Sequence, residues 1–503
     1  MTAAAATAYD ALLAHSRETW LLATTSALLG WDQETYLPKG AGEVRADQLA
    51  LLAKLQHERA TDPRVAEWLA TCEQDPRRQT DEDFAANVRE LRRDHDRATK
   101  LPEALVTELA ATESRAQQAW ADARARDNFH KFRPWLERMV ALQQQKADCL
   151  KQPGQSRWDA LADLYEPGMN AKDLQALFAP LRQRLVALRQ QLQGGKAPDD
   201  AFRRVPVVKP QQEAFVRAVV TAMGFDFQRG RLDVSAHPFC TGTGGDVRLT
   251  TRFHDADVLD ALGSSMHEAG HGLYEQGFEP AARGTPLGEA VSLGIHESQS
   301  RLWENHVGRS ASFWQWCWPI AQRELGAACQ GFTADGVFRA ANVVEPSLIR
   351  VEADEATYDL HVMVRFVIEQ ELLAGDLGPA NLPARWNGLY AEYLGVQVPD
   401  DRHGCLQDVH WSCGLFGYFP TYTLGNLYAA QLAAAADQAL GGLAPMLARG
   451  EFTPLREWLR RHVHRHGRRH RPAELCKLAT GKPLSSEPFL AYLEQKLATV
   501  YPR

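Results

Sequence analysis

Several features are absent from this 503-residue sequence, and each absence excludes a class of protein. No apolar run approaches the roughly 20 residues that are needed to span a bilayer. The first residues, 1–7, lack the basic start and the apolar centre of a signal peptide. The eight cysteines are scattered without a CxxC pair, which predicts reduced thiols and no disulfide framework. Together these absences predict a cytoplasmic protein with no membrane partner.

Positively charged residues are also fewer than negatively charged ones. The 56 Lys and Arg residues stand against 63 Asp and Glu, a net charge of −7, which argues against nucleic acid as a partner. The glycine-rich stretch 241–245 lacks the GxxxxGK[ST] pattern of a phosphate loop. No GxSxG elbow is present, which disfavours a serine hydrolase.

One short pattern carries most of the chemical information, His267-Glu268-Ala269-Gly270-His271. Two positions four apart on an α-helix differ by only about 40° around its axis, so both imidazoles leave the same face and can hold one small cation. Glu268 can reach a water on that cation, and zinc lowers the pKa of its bound water towards about 7. The pattern therefore predicts peptide hydrolysis with Glu268 as the general base.

The residues around this pattern predict the helix that it requires. Asp257 suits a helix start, and Gly277 is a candidate C-terminal cap. Apolar residues recur between them at helical spacing, at Leu259, Leu262, Met266 and Leu273. Gly263 and Gly270 lower the intrinsic helix propensity, so we expect glycine here to let another backbone come close.

A third protein ligand is expected, because catalytic zinc usually takes three and leaves one position for water. Glu297 lies in a second helical pattern, roughly 288–306 and ended by Gly308. A hairpin of two helices would return it beside the histidines, as in the thermolysin-like plan. The competing plan, a third histidine six positions after His271, is excluded because Gly277 stands there. The alternative for Glu297 is a solvated helix residue.

The rest of the chain predicts a mainly α fold. Residues 1 to about 200 contain long amphipathic segments near 41–60, 80–99, 102–127, 132–152 and 171–194, followed by a break at 194–198. The tract 462–470, rich in His and Arg, predicts a helix end with a solvated basic face.

The spacing of polar and apolar residues changes between about 225 and 255, and the new pattern predicts a short antiparallel sheet beside the metal site. Residues 231–235 and 246–251 both alternate between polar and apolar, with the glycine-rich stretch as the turn between them. An extended peptide can join the edge of such a sheet as an extra strand.

Several motifs appear in a fixed order, and together they resemble the carboxypeptidase Taq family of zinc metallocarboxypeptidases. Besides the metal pattern they are HPF at 237–239, DxRxT at 246–250, HESQ at 296–299, (I/V)RxxAD at 349–354 and GxxQDxHW at 404–411, with a family-like segment at 31–38. The resemblance covers essentially the whole chain.

This resemblance implies a large helical, saddle- or cleft-shaped zincin of the gluzincin type, one catalytic unit over 1–503. Within it we expect a helical N-terminal portion, 1–200, and a portion 201–503 with the β element, the metal helices and the substrate motifs. The family implies a homodimer with one Zn²⁺ per subunit, which Co²⁺ can replace. The implied substrates are peptides with a free C-terminal carboxylate, which lose single amino acids with broad specificity, proline being disfavoured.

The developing charge on the attacked carbonyl oxygen needs a hydrogen-bond donor. His410, from the GxxQDxHW match, and Tyr418 or Tyr422 are the candidates, although each aromatic alone is more often a core residue. His296 and Asp354 are candidates for orienting a zinc histidine from behind.

An exopeptidase also needs a fixed cation for the terminal carboxylate, which the planar fork of arginine suits. Arg350 is the first choice and Arg248 the second. The alternative for Arg350 is a structural ion pair with Asp354 or Glu352.

Three further residues from the motifs are candidates for substrate contact. His237 is expected to bind substrate or to cap a turn. Gln407 and Trp411 belong to a segment that in the family helps to close the groove and limit substrate length, and Arg248 is an alternative gate of the same kind.

Two other functions stay open. One is an oligopeptidase or dipeptidyl carboxypeptidase with the same zinc chemistry. The other is a catalytically silent, peptide-binding scaffold, against which the intact Glu268 argues.

Overall fold

The structure is a computed structural model that describes residues 3–192 and 197–502. The fold is mainly α, as predicted, with one small sheet near the middle of the chain. Among the described residues, none of the helices combines the length and the apolar character of a membrane span. The predicted break at 194–198 falls largely on residues 193–196, outside the described ones.

Helices alone build the chain before residue 193, and most lie within a few residues of the predicted segments. They are α1 (Ala3–Thr35), α2 (Gly42–Ala60), α3 (Pro63–Glu73), α4 (Arg77–Thr80), α5 (Glu82–Thr99), α6 (Glu103–Ala125), α7 (Phe129–Leu150), α8 (Arg157–Ala162) and α9 (Ala171–Leu192). Local chemistry fixes several starts: the side chains of Asp62 and Asp81 accept from backbone N–H groups in the first turns of α3 and α5.

The sheet and the helices that carry the metal pattern follow. They are α10 (Lys209–Met223), β1 (Gly230–Val234), β2 (Cys240–Thr243), β3 (Asp246–Thr251), α11 (Val258–Glu275), α12 (Leu293–Arg301) and a π-helical segment, Leu302–Gly308. The remaining helices are α13 (Ala311–Leu325), α14 (Ala334–Ala340), α15 (Tyr358–Ala374), α16 (Leu382–Tyr393), α17 (Pro420–Leu440), α18 (Leu443–Ala448), α19 (Thr453–His462), α20 (Pro472–Thr480) and α21 (Glu487–Val500).

The sheet is mixed, with strand order β1-β3-β2. Strands β2 and β3 form an antiparallel hairpin, in which Thr243 faces Asp246. This is not the predicted hairpin of 231–235 with 246–251, because β2 takes up residues 240–243, most of which were expected to form the turn. Strand β1 instead runs parallel to β3, with Gly230 opposite Val247. The expectation of a purely antiparallel element is wrong for β1, because alternation of side chains reports the faces of a strand and not its direction.

The hydrophobic core divides near residue 100. A large core extends from Leu105 to Val500 and surrounds α11, α12, α15 and α17. A small separate cluster joins α1, α3 and α5 through Ala8, Leu12, Val65, Leu69, Cys72, Phe84 and Val88. The helices between Leu105 and Leu185 thus belong to the main core, and a functional division at residue 200 stays a prediction.

Most of the basic tract 462–470 is buried or half-buried, and Arg465 alone is exposed, so the expected solvated face is wrong for most of its length. Nε2 of His464, a buried residue, lies 2.9 Å from Oε1 of Gln299 on α12. The guanidinium of Arg468 pairs with Glu90 at 3.0 Å, Asp94 at 2.7 Å and Glu289 at 3.2 Å. These acidic partners come from distant segments, which a local sequence pattern does not show.

Candidate metal centre and active site

The two helices of the centre start at side-chain caps. Asp257 accepts a hydrogen bond from the backbone N–H of Asp260 and begins α11, which carries the metal pattern and ends at Glu275, before the predicted cap at Gly277. Ser292 accepts from the backbone N–H of Ile295 and begins α12. Helix α12 is shorter than predicted, since it passes into the π-helical segment after Arg301.

Two glycines allow these helices to pack closely. A Cβ atom on Gly270 would lie 2.5 Å from the carbonyl oxygen of Gln299, so α11 tolerates no side chain where it meets α12. A Cβ on Gly425 of α17 would lie 2.5 Å from Cγ of Glu297. The interpretation of a close backbone approach is therefore confirmed for Gly270 and wrong for Gly263, where a Cβ atom would meet nothing within 4 Å.

The close packing brings His267, His271 and Glu297 to one point. Oε2 of Glu297 lies 3.8 Å from Nε2 of His267 and 3.5 Å from Nε2 of His271. One ligand atom from each residue lies within 4.8 Å of the other two. Two imidazole nitrogens and one carboxylate oxygen form a donor set that suits a divalent ion such as zinc, so these residues fit the metal that the sequence implies.

The far side of each imidazole is held by a hydrogen-bond acceptor. Nδ1 of His267 lies 2.9 Å from Oε2 of Glu304. Nδ1 of His271 lies 3.1 Å from the carbonyl oxygen of His296 and 2.6 Å from Nδ1 of the His296 ring, whose Nε2 is 3.0 Å from Oε1 of Glu275. With Nδ1 of each ligand ring occupied, the Nε2 lone pair of each ring is directed at Glu297.

Arg301 connects the third ligand to Glu304. Its Nε donates to Oε1 of Glu297 at 2.8 Å, and its Nη1 donates to Oε2 of Glu304 at 3.2 Å. Arg309 donates to the other oxygen of Glu304 at 3.1 Å. Burial opposes ionisation of Glu297 and Glu304, but His267 and Arg301 outweigh it and hold both carboxyl pKa values well below their usual range.

Sequence reasoning did not find Arg301 or Glu304. Their spacing was a usable signal, because they follow Glu297 by four and seven positions, the period that returns a helix to the same face. The π-helical segment that begins at Leu302 shifts this register, so the spacing alone would not have fixed the contact.

Glu268 lies on α11 beside these ligands and is 6% exposed. Burial raises the pKa of its carboxyl group to about 7, with a further rise from the nearby Glu297 carboxylate and an opposing effect from His267. Burial also lowers the pKa of His271 to about 3, which keeps its ring neutral. A carboxylate with a pKa near neutrality can both take and return a proton.

A second charged cluster surrounds Arg350, which is 4% exposed. Its Nε and Nη2 donate to Oδ1 of Asp408 at 3.1 and 2.9 Å, and its Nη1 donates to the hydroxyl of Tyr358 at 2.9 Å. Arg365 holds the other oxygen of Asp408, at 2.8 Å from Nε. The structure thus shows an ion pair of Arg350, as in the alternative interpretation, but its partner is Asp408 and neither Asp354 nor Glu352.

Gln407 fastens the loop before Arg350 to this cluster. Its Oε1 accepts from the backbone N–H of Arg350 at 2.9 Å and from Nη2 of Arg365 at 2.7 Å. Its Nε2 donates to the carbonyl oxygen of Leu348 at 2.9 Å and to the hydroxyl of Tyr390 at 3.1 Å. In this structure the side chain of Gln407 is occupied by structural bonds.

His410, Tyr418 and Tyr422 lie together beside the arginine cluster. Nε2 of His410 is 3.2 Å from the hydroxyl of Tyr422. The ring centroid of Tyr418 lies 5.5 Å from that of His410 and 5.5 Å from that of Tyr422. The Arg350 guanidinium carbon lies 4.8 Å from the Tyr422 ring centroid. Burial lowers the pKa of His410 to about 4, which keeps it neutral.

Tyr358 joins the metal ligands to the arginine cluster. Its hydroxyl accepts from Arg350, and the guanidinium carbon of Arg301 lies 4.5 Å from its ring centroid. Arg301 in turn bonds the candidate ligand Glu297. The structure thus brings the predicted ligands, Arg350 and the candidate oxyanion donors into one connected site.

The other predicted residues lie elsewhere. Arg248 on β3 pairs with Asp246 at 3.0 Å, and its guanidinium carbon is 4.2 Å from the Trp31 ring centroid. His237 is exposed in the loop between β1 and β2. The indole of Trp411, a buried residue, donates to Oε1 of Glu369 at 3.0 Å.

Asp354 requires a correction. Its carboxylate accepts hydrogen bonds from Thr357, Ala356 and the backbone of Glu345, all in its own loop region. It orients neither His267 nor His271, because Glu304 and the carbonyl group of His296 lie at Nδ1 of those rings. Its carboxylate caps the turn that leads into α15, a role that only the folded loop reveals.

Comparisons with known proteins cover almost the whole chain, and each of them finds a carboxypeptidase. Residues 11–497 match the family described as carboxypeptidase Taq (M32) metallopeptidase. The chain is 48% identical to thermostable carboxypeptidase 1 of Thermus thermophilus, over 98% of this chain and 99% of that protein. It is 37% identical to carboxypeptidase 1 of Bacillus subtilis, over 94% and 95%. Its structure resembles the crystal structure of the M32 carboxypeptidase from Deinococcus radiodurans, with a TM-score of 0.96, 42% identity and coverage of 99% of this chain and 100% of that one.

Proposed function

Because this chain belongs to the carboxypeptidase Taq (M32) family and is a metallocarboxypeptidase, we propose how its site works. One zinc ion is held by His267, His271 and Glu297, and single amino acids are released from peptides with a free C-terminal carboxylate. The observation that carries this proposal is the convergence of two Nε2 atoms and one carboxylate oxygen beside the buried Glu268.

The bound metal supplies Lewis-acid chemistry: it lowers the pKa of a water molecule and polarises the scissile carbonyl group. Glu268 takes the proton of the attacking water at its carboxylate and delivers it to the departing amine. The raised pKa of Glu268 suits this double role, since a base works best with a pKa close to the operating pH.

We assign the stabilisation of the carbonyl oxygen to His410, Tyr418 and Tyr422. His410 is neutral, so it donates one N–H and accepts at the other nitrogen. Its Nε2 is close to the Tyr422 hydroxyl, which leaves the hydroxyl of Tyr422 or Tyr418 as the donor towards the site. Donors fixed in a buried site stabilise a developing charge more than mobile donors in water do.

Arg350 is the proposed anchor for the substrate carboxylate. Three of its five N–H groups are used by Asp408 and Tyr358, so two are left for a carboxylate. Arg248 is the weaker choice, because it is paired with Asp246 on the sheet. His237, Gln407 and Trp411 are proposed as substrate contacts with the family resemblance as their only support.

A pair of peptides with the same sequence, one with a free and one with an amidated C-terminus, tests the proposal. The wild type should release amino acids one at a time from the free form only. Arg350→Lys should lower kcat/KM for the free form by at least about tenfold, and Arg248→Lys should leave it within about twofold. Internal fragments as first products, or equal cleavage of both forms, would support the oligopeptidase alternative instead.

Three further properties are proposed from the family resemblance alone. They are assembly as a homodimer, activity with Co²⁺ in place of Zn²⁺, and poor release next to proline. Sedimentation, metal replacement after chelation and a set of peptides with a C-terminal proline test them separately.

A further inference from the structure

His464, in the tract 462–470, stands against both helices that carry the candidate metal ligands. Its Nε2 atom lies 2.9 Å from Oε1 of Gln299 on α12. A Cβ atom on Gly277, two residues beyond the end of α11, would collide with Nδ1 of its ring. The residue is 1% exposed. His464 therefore fills the space between the end of α11 and the middle of α12.

The hydrogen bond between His464 and Gln299 has a defined direction. Nε2 of Gln299 donates to the hydroxyl of Ser298 at 2.9 Å, so Oε1 of Gln299 is the acceptor. Burial lowers the pKa of His464 to about 3, so its ring is neutral and carries its one proton at Nε2. Among the described residues, Nδ1 of the ring has no hydrogen-bond partner. One hydrogen bond thus joins the ring to α12, and packing joins it to α11.

A row of aromatic rings leads from His464 to the candidate ligand His271. The centroid of the His464 ring lies 5.1 Å from that of Tyr274 on α11, which lies 5.3 Å from that of His296 on α12. The centroid of His296 lies 4.5 Å from that of His271. Because a closely packed interior transmits small displacements, the position of His464 affects the position of the ligand ring.

The tract is itself fixed to the segment that precedes α12. A Cβ atom on Gly467 would collide with the carbonyl oxygen of Leu287. The backbone N–H of Arg468 donates to the carbonyl oxygen of Pro286 at 3.1 Å. These contacts hold His464 in place from behind, so its ring cannot move away from the two helices.

We propose that His464 is a positioning residue of the metal centre, which sets the distance between α11 and α12. The inference rests on the proposed zinc site. His271 lies one turn before the end of α11, and Glu297 lies two residues before Gln299 on α12. A ring between the helices at this level holds one candidate ligand from each of them, at the 3.5 Å separation of Nε2 of His271 and Oε2 of Glu297.

The test compares His464→Phe with His464→Gln. Phenylalanine keeps an aromatic ring and loses the hydrogen bond, whereas the amide nitrogen of glutamine can donate to Gln299 from the position of Nε2. His464→Phe should lower zinc affinity by about tenfold, and His464→Gln should stay within about threefold of the wild type. Competition with a chromogenic chelator measures the affinity without an activity assay, under conditions in which urea denaturation shows each metal-free protein to be folded.

His462→Phe is the matched control in the same tract. His462 is half-buried, and its ring centroid lies 4.6 Å from that of Trp458 on the same helix, α19. This variant should leave zinc affinity within about twofold of the wild type. The visible absorption spectrum of the Co²⁺-loaded proteins depends on the geometry of the ligands. It should change in His464→Phe and stay unchanged in His462→Phe.

Gln299→Met removes the same hydrogen bond from the side of α12, and it tests the inference alone if His464→Phe does not fold. It should lower zinc affinity by a similar factor, and the two losses should not add in the double variant. Reduced stability with unchanged zinc affinity and an unchanged Co²⁺ spectrum would make His464 an ordinary core residue and overturn the inference. A wild type that binds no zinc would overturn the proposed site instead.

Discussion

The metal centre and the arginine cluster are both buried and charged, yet they leave different groups free. In the metal centre, Nδ1 of each histidine and one oxygen of Glu297 have protein partners, while the two Nε2 atoms and Oε2 of Glu297 face one another. In the arginine cluster, both oxygens of Asp408 are taken by Arg350 and Arg365. The first region turns three donor atoms towards one point, and in the second region two guanidinium groups share one carboxylate.

This difference distinguishes residues that are arranged to bind a ligand from residues that stabilise the fold. The carboxylates of the candidate metal centre have a protein partner too, since Arg301 pairs with Glu297 and Glu304; what distinguishes this centre is the convergence of three donor atoms. The ion pairs of Asp408 with Arg350 and Arg365 form without a ligand and hold the Arg350 guanidinium in place. Asp408 and Tyr358 use three of the five N–H groups of Arg350, which leaves two for a substrate. We therefore expect changes in the metal centre to affect catalysis first and changes in the arginine cluster to affect stability first.

The largest expected effect is at Glu268. Glu268→Gln should lower kcat by about 10²–10⁴-fold, because the amide accepts no proton, and zinc should remain bound. Single-turnover kinetics and a metal assay on the same sample measure both quantities. Glu279→Gln, at an exposed position just beyond α11, is the matched control and should leave kcat unchanged. If Glu268→Gln retains turnover, the proposed role of Glu268 as the general base is wrong.

The next effect is on stability, in the arginine cluster. Asp408→Asn leaves Arg350 and Arg365 buried without their counter-charge and should lower the free energy of unfolding by about 3–5 kcal/mol. Urea denaturation measures the change. Asp335→Asn, which breaks an exposed pair with Arg339, should cost less than about 1 kcal/mol. Equal losses in the two variants would contradict the contrast between the buried cluster and an ordinary surface pair.

A smaller effect is expected behind the metal. Glu304→Gln weakens the hold on Nδ1 of His267 and should reduce zinc affinity by about 10–100-fold. Competition with a chromogenic chelator gives the affinity directly, independent of activity. Glu324→Gln, whose carboxylate pairs with the neighbouring Arg323 at 2.7 Å, serves as the control. Unchanged zinc affinity in Glu304→Gln would leave Glu304 as a structural partner of Arg301 and Arg309.

The effect with the smallest change per step of the titration is a pH dependence of stability at Glu369. This buried carboxyl accepts from Trp158, Trp411 and the backbone of Gly417, and burial raises its pKa from 4.5 to about 7. The folded state thus keeps a proton that the unfolded state loses, so stability is full below about pH 4.5 and falls as the pH rises to about 7.

Glu369→Gln carries no such proton. The difference in unfolding free energy between wild type and variant should therefore shift by about 1 kcal/mol per pH unit within that window, against the wild type as the pH rises. Urea titrations at several pH values measure it. A constant difference across the window would show that the carboxyl does not change its protonation there.

Particular residues show how far the sequence predicts the site. The pairing of His267 with His271 follows from helical spacing, and Glu297 was found because a catalytic metal needs a third ligand. The residue type of Gly270 predicts a close backbone approach, but it does not identify the neighbour, which is the backbone of Gln299. The alternative interpretation of Arg350, an ion pair with Asp354 or Glu352, names the wrong carboxylates, because Asp408 lies 58 positions along the chain and only the fold brings it near.

The sequence by itself determined the helical class, the metal pattern and the chemistry of the candidate ligands, because these depend on residue type and on separations of one or two helical turns. The tertiary structure decided which groups stand behind the ligands, the parallel direction of β1, and the burial of Arg468 and Arg350. The physical reason is that a buried charge takes its partner from whatever segment the fold brings within about 4 Å, and separation along the chain carries no information about that choice.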